Sequence, residues 1–272
     1  RCAVKFLKSK STDLQINPGK IAAWGWSAGA HAATMLGMAG SNTNLDGHCS
    51  VQTTYDAKVA AVIAHAPPVD NYARVSSSNS ASSVSGDIKR YWGIPVYESG
   101  PKTTAPPYDR TVSESLVQSL NGGADPYYYD GTQSVPILHF QPTDDTVYVP
   151  LNTVTRFRSK MQQESSKYRF SAYYNAGHGL DMGLRVYGAL GYYTTFFHNR
   201  VKDHVFATSM KFIDQHLKGL PENKDLTCKL WALNATIPPV PVEQSMVCCS
   251  YTDDANPGDD YKAKYPACAA YM

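Results

Sequence analysis

The stretch KIAAWGWSAGAHAATMLG, residues 20–37, decides how the rest of the chain is read. Ile21, Ala22, Ala23 and Trp24 form a short apolar run of the kind that fills a buried strand. Gly25-Trp26-Ser27-Ala28-Gly29 comes next, followed by small residues with the pattern of a helix over about residues 28–38, ended by Gly40. A hydroxyl between two glycines, where a strand gives way to a helix, sits on a sharp bend and stands clear of the sheet. Ser27 is therefore placed to act as a nucleophile. The N–H of Ala28, at the start of the helix, is placed to donate to an oxyanion. The plain alternative is a tight turn whose serine caps the helix.

A serine nucleophile needs a base, and the base needs an acid to orient it. Two further strand-like stretches supply places for them. VPILHF, residues 135–140, reads as a buried strand, and the loop after it, QPTDDTVYVP, holds Asp144 and Asp145. YRFSAYYNAG, residues 168–177, reads as another strand, and His178 follows it between two glycines. Each group stands on a loop after a strand, where sites form in parallel sheets. The chain order is serine, acid, histidine.

The remaining elements agree with a parallel sheet covered on both faces. VAAVIAHAPP, residues 59–68, reads as a short, wholly buried strand closed by two prolines. Helical patterns run over residues 151–163 and 203–219. The second places Val205, Met210, Phe212, Ile213 and Leu217 on one face and ends at Gly219. Residues 2–10 read as the end of an amphipathic helix with Val4, Phe6 and Leu7 as its apolar residues. Residues 70–131 read as an insertion over the sheet. It contains the low-complexity run SSSNSASSVSG and two short helices near residues 87–92 and 113–120. The α/β pattern stops near residue 220, so residues 1–219 form the catalytic unit and residues 220–272 a Cys-rich extension.

Composition narrows the role. Of 272 residues, 43% are hydrophobic and 18% charged, with a net charge of +2, which excludes nucleic-acid or membrane-surface binding driven by bulk charge. No apolar run approaches the about 20 residues that span a bilayer. Six cysteines occur, at 2, 49, 228, 248, 249 and 268. Their even number and their lack of paired zinc spacing favour disulfides and a secreted or extracellular location. The sequon at Asn234 agrees with glycosylation.

The segments NPGKIAAWGWSAGAHAATMLG, VAAVIAHAPPVD, VPILHFQPTDDTVYVP and YYNAGHGL resemble, in sequence and order, the α/β-hydrolase superfamily. They are most similar to carboxylesterases of the acetyl-xylan and feruloyl esterase type and their lipase-like relatives. The resemblance covers about residues 1–219. It implies the α/β-hydrolase fold, a mostly parallel sheet with helices on both faces, and a serine ester hydrolase that needs no cofactor and no metal. Ser27 matches the nucleophile and His178 the general base. The D-D-x-V pattern selects Asp144 as the acid, with Asp145 as the alternative because the loop before Pro150 is one residue longer.

Two departures from the family pattern stand out. HFQP replaces the His-Gly that commonly precedes the acid loop. The strands and the His-Gly-Gly-type loop that normally precede the elbow have no counterpart before residue 20. The expectation is a C-terminal portion of a larger protein, paired with an N-terminal fragment of the same precursor. The expected substrate is a small-molecule or carbohydrate-linked ester. Two other functions fit the same residues: a serine peptidase of the superfamily, and a non-catalytic secreted binding or structural protein. His31, His65 and His139 read as packing or hydrogen-bonded core residues. His198 and His204 lack the further ligands a metal site needs, and Asp181 reads as facing solvent.

Overall fold

Alternation along the strands sorts the core into two layers. A computed structural model of the chain describes residues 1–46, 49, 54–73, 125–142, 145, 148–149, 151–165, 167–173, 178, 193–221 and 248–251. Its sheet has the order β1 (Ala22–Trp26), β2 (Ala61–His65), β3 (Ile137–Pro142), β4 (Tyr168–Tyr173) and β5 (Cys248–Tyr251). The first four strands are parallel, with Trp26 opposite His65, His65 opposite Phe140 and Gln141 opposite Ala172.

Successive strand residues point to opposite faces. Val62, Ala64 and Ile137 pack with Ala30, Ala33, Val154, Phe157 and Met161 on one side. Ala61, Ile63, Leu138 and Phe140 pack with Val205 and Phe212 on the other. Helices α2 (Ala28–Ala39) and α3 (Leu151–Glu164) thus cover one face, and α4 (Tyr193–Lys218) the other. Both faces being covered explains why β2 and β3 are buried at every position, the polar His65, His139 and Gln141 included.

Several expectations need correction. Helix α4 begins ten residues before the expected start at 203 and ends, as read, just before Gly219, whose φ of +71° suits glycine. Met210 lies outside the apolar face of α4, being 37% exposed. In α1 (Cys2–Ser9), Phe6 is 47% exposed whereas Lys5 is buried. Lys5 tolerates burial because its ammonium pairs with Asp46, which also accepts from Arg1 Nε at 2.7 Å. Cys2 and Cys49 form a disulfide that ties α1 to the loop beyond α2.

The Cys-rich extension is not wholly separate from the sheet. Cys248–Tyr251 forms β5 and pairs antiparallel with β4, Cys249 lying opposite Ala172. The two short helices expected near 87–92 and 113–120 lie outside the described residues, as do Asn234, Asp181, Cys228 and Cys268. Among the described residues no helix is long and apolar enough to cross a membrane, and no group of three or more His, Cys, Asp or Glu could hold a metal ion.

Candidate active site

The turn after β1 is held by backbone sterics. A Cβ on Gly25 would meet the Gly29 carbonyl oxygen at 2.1 Å and Ala30 N at 2.6 Å, so only glycine lets the strand and α2 come so close. At Gly29 a Cβ would meet nothing within 4 Å, so that glycine is not required for packing. Ser27 itself has φ 53° and ψ −122°, a conformation that non-glycine residues rarely hold. Its N–H donates to the His65 carbonyl at 2.8 Å, and its carbonyl accepts from His31 N at 3.0 Å. The strained turn therefore has a hydrogen bond to each side. Its side chain makes no capping bond to α2, which argues against the serine as a mere cap. Ala28 is exposed in the first turn of α2.

Strand β4 leads towards His178 and β3 towards the acid loop. The imidazole Nδ1 lies 2.5 Å from Asp145 Oδ2 and Nε2 lies 2.8 Å from Ser27 Oγ. A carboxylate can only accept, so Nδ1 carries the proton and Nε2 is left to accept the Ser27 hydroxyl. The residue brought to the imidazole is thus Asp145, the alternative in the sequence reading. The preferred Asp144 lies outside the described residues.

Asp145 is fixed from both sides. Its Oδ1 accepts from Tyr148 N at 2.9 Å, and its Oδ2 from Val149 N at 3.0 Å. Burial alone raises a carboxyl pKa. Here the His178 hydrogen bond and charge, with the two backbone N–H groups, outweigh burial and hold Asp145 below its usual value. It is therefore ionised wherever the imidazole would need it.

Two aromatic residues that the sequence reading did not assign also hold His178. The Trp26 indole N–H donates to the His178 carbonyl at 2.8 Å, and its ring centroid is 5.1 Å from the imidazole. Tyr148, itself 50% exposed, lies 4.6 Å from the imidazole at a 35° tilt. Their signal in the sequence was position: Trp26 precedes the serine within the motif, and Tyr148 is the only aromatic residue in the acid loop.

His31, His65 and His139 make structural contacts. His31 Nδ1–H donates to the Pro68 carbonyl at 2.7 Å, supporting the turn after β2. His65 accepts from the Trp24 indole at 3.0 Å, and burial lowers its pKa to about 4. His139 is fully buried between Tyr168 and Gln141. The side chains of His198 and His204 lie outside the description.

A family model, BD-FAE, matches residues 1–161, more than half of the chain. The chain belongs to the BD-FAE family. It is an α/β-hydrolase family of the esterase and feruloyl-esterase kind, and the mostly parallel sheet described above is its fold. No curated protein matches the chain. Among solved structures, the chain is similar to the propionate-bound thermophilic esterase Est2 of Thermogutta terrifontis. The identity is 18% and the TM-score 0.48, covering 81% of this chain and 65% of that one. It is also similar to an acetyl ester-xyloside bifunctional hydrolase from Caldicellulosiruptor lactoaceticus. There the identity is 14% and the TM-score 0.43, covering 74% of this chain and 62% of that one. The chain thus spans less than two thirds of the length of these structures.

Proposed function

We propose that this BD-FAE chain is a serine carboxylic-ester hydrolase in which Ser27 is the nucleophile, His178 the general base and Asp145 the orienting acid. The observation that carries the reading is the unbroken hydrogen-bonded line from Ser27 Oγ through both imidazole nitrogens to Asp145.

The geometry supports the following steps. Ser27 Oγ attacks the ester carbonyl carbon as His178 Nε2 takes its proton, and Asp145 stabilises the imidazolium. The carbonyl oxygen becomes an oxyanion beside the N–H of Ala28. Collapse of the tetrahedral species breaks the bond to the alcohol oxygen, which receives the proton from Nε2 and leaves. Water then attacks the acyl-serine with the same proton transfers, releasing the acid and restoring the hydroxyl.

A small-molecule or carbohydrate-linked ester is the proposed substrate. A secreted chain glycosylated at Asn234 is the proposed setting, and the Cys2–Cys49 disulfide favours such an oxidising compartment. An N-terminal fragment of the same precursor is the proposed partner of β1. Two observations favour it: β1 is the outer strand among the described residues, and its Trp24 is 36% exposed.

The test is fluorophosphonate labelling of the native, non-reduced protein, mapped by peptide mass spectrometry. Label is expected on Ser27 and absent after heat denaturation. Ser27→Ala should abolish labelling and lower ester hydrolysis by about 10⁴-fold or more. Native protein whose Ser27 stays unlabelled would turn the reading to a binding or structural role. Faster turnover of a matched amide than of the ester would turn it to a peptidase.

A further inference from the structure

Beneath the acid loop lies a buried polar line in which every hydrogen bond has a determined direction. Gln141 and His139 are both fully buried in β3. Gln141 Nε2 donates to the Val149 carbonyl at 2.7 Å, with a longer contact to the Pro142 carbonyl at 3.4 Å. Both partners only accept, so the amide nitrogen faces the loop and Oε1 faces His139 Nε2 at 3.3 Å. An amide oxygen also only accepts. His139 therefore carries its proton on Nε2, and its bare Nδ1 accepts the Tyr168 hydroxyl at 2.8 Å.

Burial lowers the His139 pKa to about 3 and raises that of Tyr168, so neither group changes charge over the working range. The donor pattern is thus permanent. At its far end stands Val149, whose N–H donates to Asp145 Oδ2, the same oxygen that meets His178 Nδ1. One peptide-bonded residue is held through its carbonyl by Gln141 and holds the acid through its N–H.

We infer that Gln141 is a positioning residue for the acid: its amide pins Val149, and Val149 fixes Asp145 Oδ2 against His178. Apolar burial alone would not fix the loop in this way. A carbonyl pinned by one donor, itself oriented by a second residue, admits a single loop height.

The inference rests on the triad reading above, and two measurements on the full chain separate the two. The first is hydrolysis of p-nitrophenyl acetate by wild type, Gln141→Met, Asp145→Asn and the double variant. Methionine keeps the length and volume of glutamine while removing both polar ends. Gln141→Met should lower kcat by about tenfold and move KM by less than about twofold. Its effect should vanish in the Asp145→Asn background, because a residue acting through Asp145 has nothing left to position. Effects that add in the double variant, or an unchanged kcat in Gln141→Met, would overturn the inference.

The second measurement needs no turnover: the low-field proton resonance of His178 Nδ1–H. It should shift or broaden in Gln141→Met and persist in Tyr168→Phe, which leaves the Gln141–Val149 bond in place. An unchanged resonance in Gln141→Met overturns the inference even if the chain hydrolyses no ester. Should the methionine variant fail to fold, Gln141→Asn keeps the amide but is one methylene short of Val149, and it carries the same expectations.

Discussion

The proposed nucleophile and the proposed acid rest on strands of opposite character. Strand β1, which delivers Ser27, is nowhere fully buried, and Trp24 on it is 36% exposed. Strand β3, which leads to Asp145, is buried at all six positions. Yet both ends reach hydrogen-bonding distance of the same imidazole. The difference shows two ways to hold a catalytic group. Ser27 is held by backbone alone: the contact of Gly25 with the Gly29 carbonyl, the strained φ, and its N–H on the His65 carbonyl. Such a turn needs no particular side chain from the rest of the core. Asp145 is held through a buried side chain of its own loop region: the Gln141 amide holds the Val149 carbonyl, and the Tyr148 and Val149 N–H groups bond the carboxylate. That arrangement survives only where water is excluded.

The sharpest way to break this contrast is to empty the buried side. Phe140 is fully buried, sits with Leu138, Val205 and Phe212, and meets the His65 ring edge-on at 5.0 Å. Phe140→Ala should cost about 3–5 kcal/mol of stability, measured by urea unfolding, because the β3 surroundings cannot collapse into the space. A cost near 1 kcal/mol would mean that β3 is no better packed than β1, and the contrast would fail.

Protonation gives the next test, and its direction follows from burial. The unfolded chain protonates His65 near 6.5, whereas the folded chain does so only near 4. Between those values the unfolded state binds more protons, so this residue's contribution to stability falls as pH drops through the window and levels off below it. His139 acts in the same sense down to about 3. Asp125 opposes them: burial raises its pKa to about 7, so it binds a proton in the folded state that the unfolded chain has released. Wild type therefore mixes the signs, and the comparison with His65→Gln is the clean measurement. Over pH 6.5 to about 4 the variant should lose stability less steeply than wild type, by about 1.4 kcal/mol per pH unit. Parallel pH curves would show that the end of β2 beside β1 is open to water after all.

The same contrast explains what was legible in the sequence. The elbow could be read because its determinants are local: apolar strand, glycine, serine, then small helix-forming residues. Strands β2 and β3 could be read from mainly apolar runs, β4 from its aromatic and alternating residues, and His178 from its place after β4. The choice between Asp144 and Asp145 could not. It depends on where β3 ends, and β3 runs through Gln141 and Pro142, two residues past the expected end at Phe140, because β4 pairs with both. A proline lacks the N–H a ladder uses, yet Pro142 still lies in register with Tyr173. Nor could β5 be read, since four residues of a polar, Cys-rich tail become a strand only by pairing with β4. Buried Lys5 was hidden for a similar reason, its partner Asp46 lying 41 residues away.

The gentlest test falls on the exposed side. Trp24 donates its indole N–H to His65 Nε2 at 3.0 Å and stacks at 6.0 Å on Phe206, which is 57% exposed. Trp24→Phe keeps an aromatic ring against Phe206 but removes the donor. His65 Nδ1 has no partner among the described residues, so the imidazole then loses its described side-chain hydrogen bond. An unpaired acceptor in that position costs about 1–2 kcal/mol. The loss should be at the low end, near 1 kcal/mol, because Trp24 reaches the surface and water can replace the indole. Ser27 should scarcely notice: its tie to this region is the His65 backbone carbonyl, which the substitution leaves in place. Urea unfolding and the fluorophosphonate labelling rate of Ser27 together decide the matter. A small stability loss with unchanged labelling means the elbow holds its own geometry. A large fall in labelling would mean that the nucleophile, like the acid, is positioned through a side-chain network, here running from Trp24 to His65.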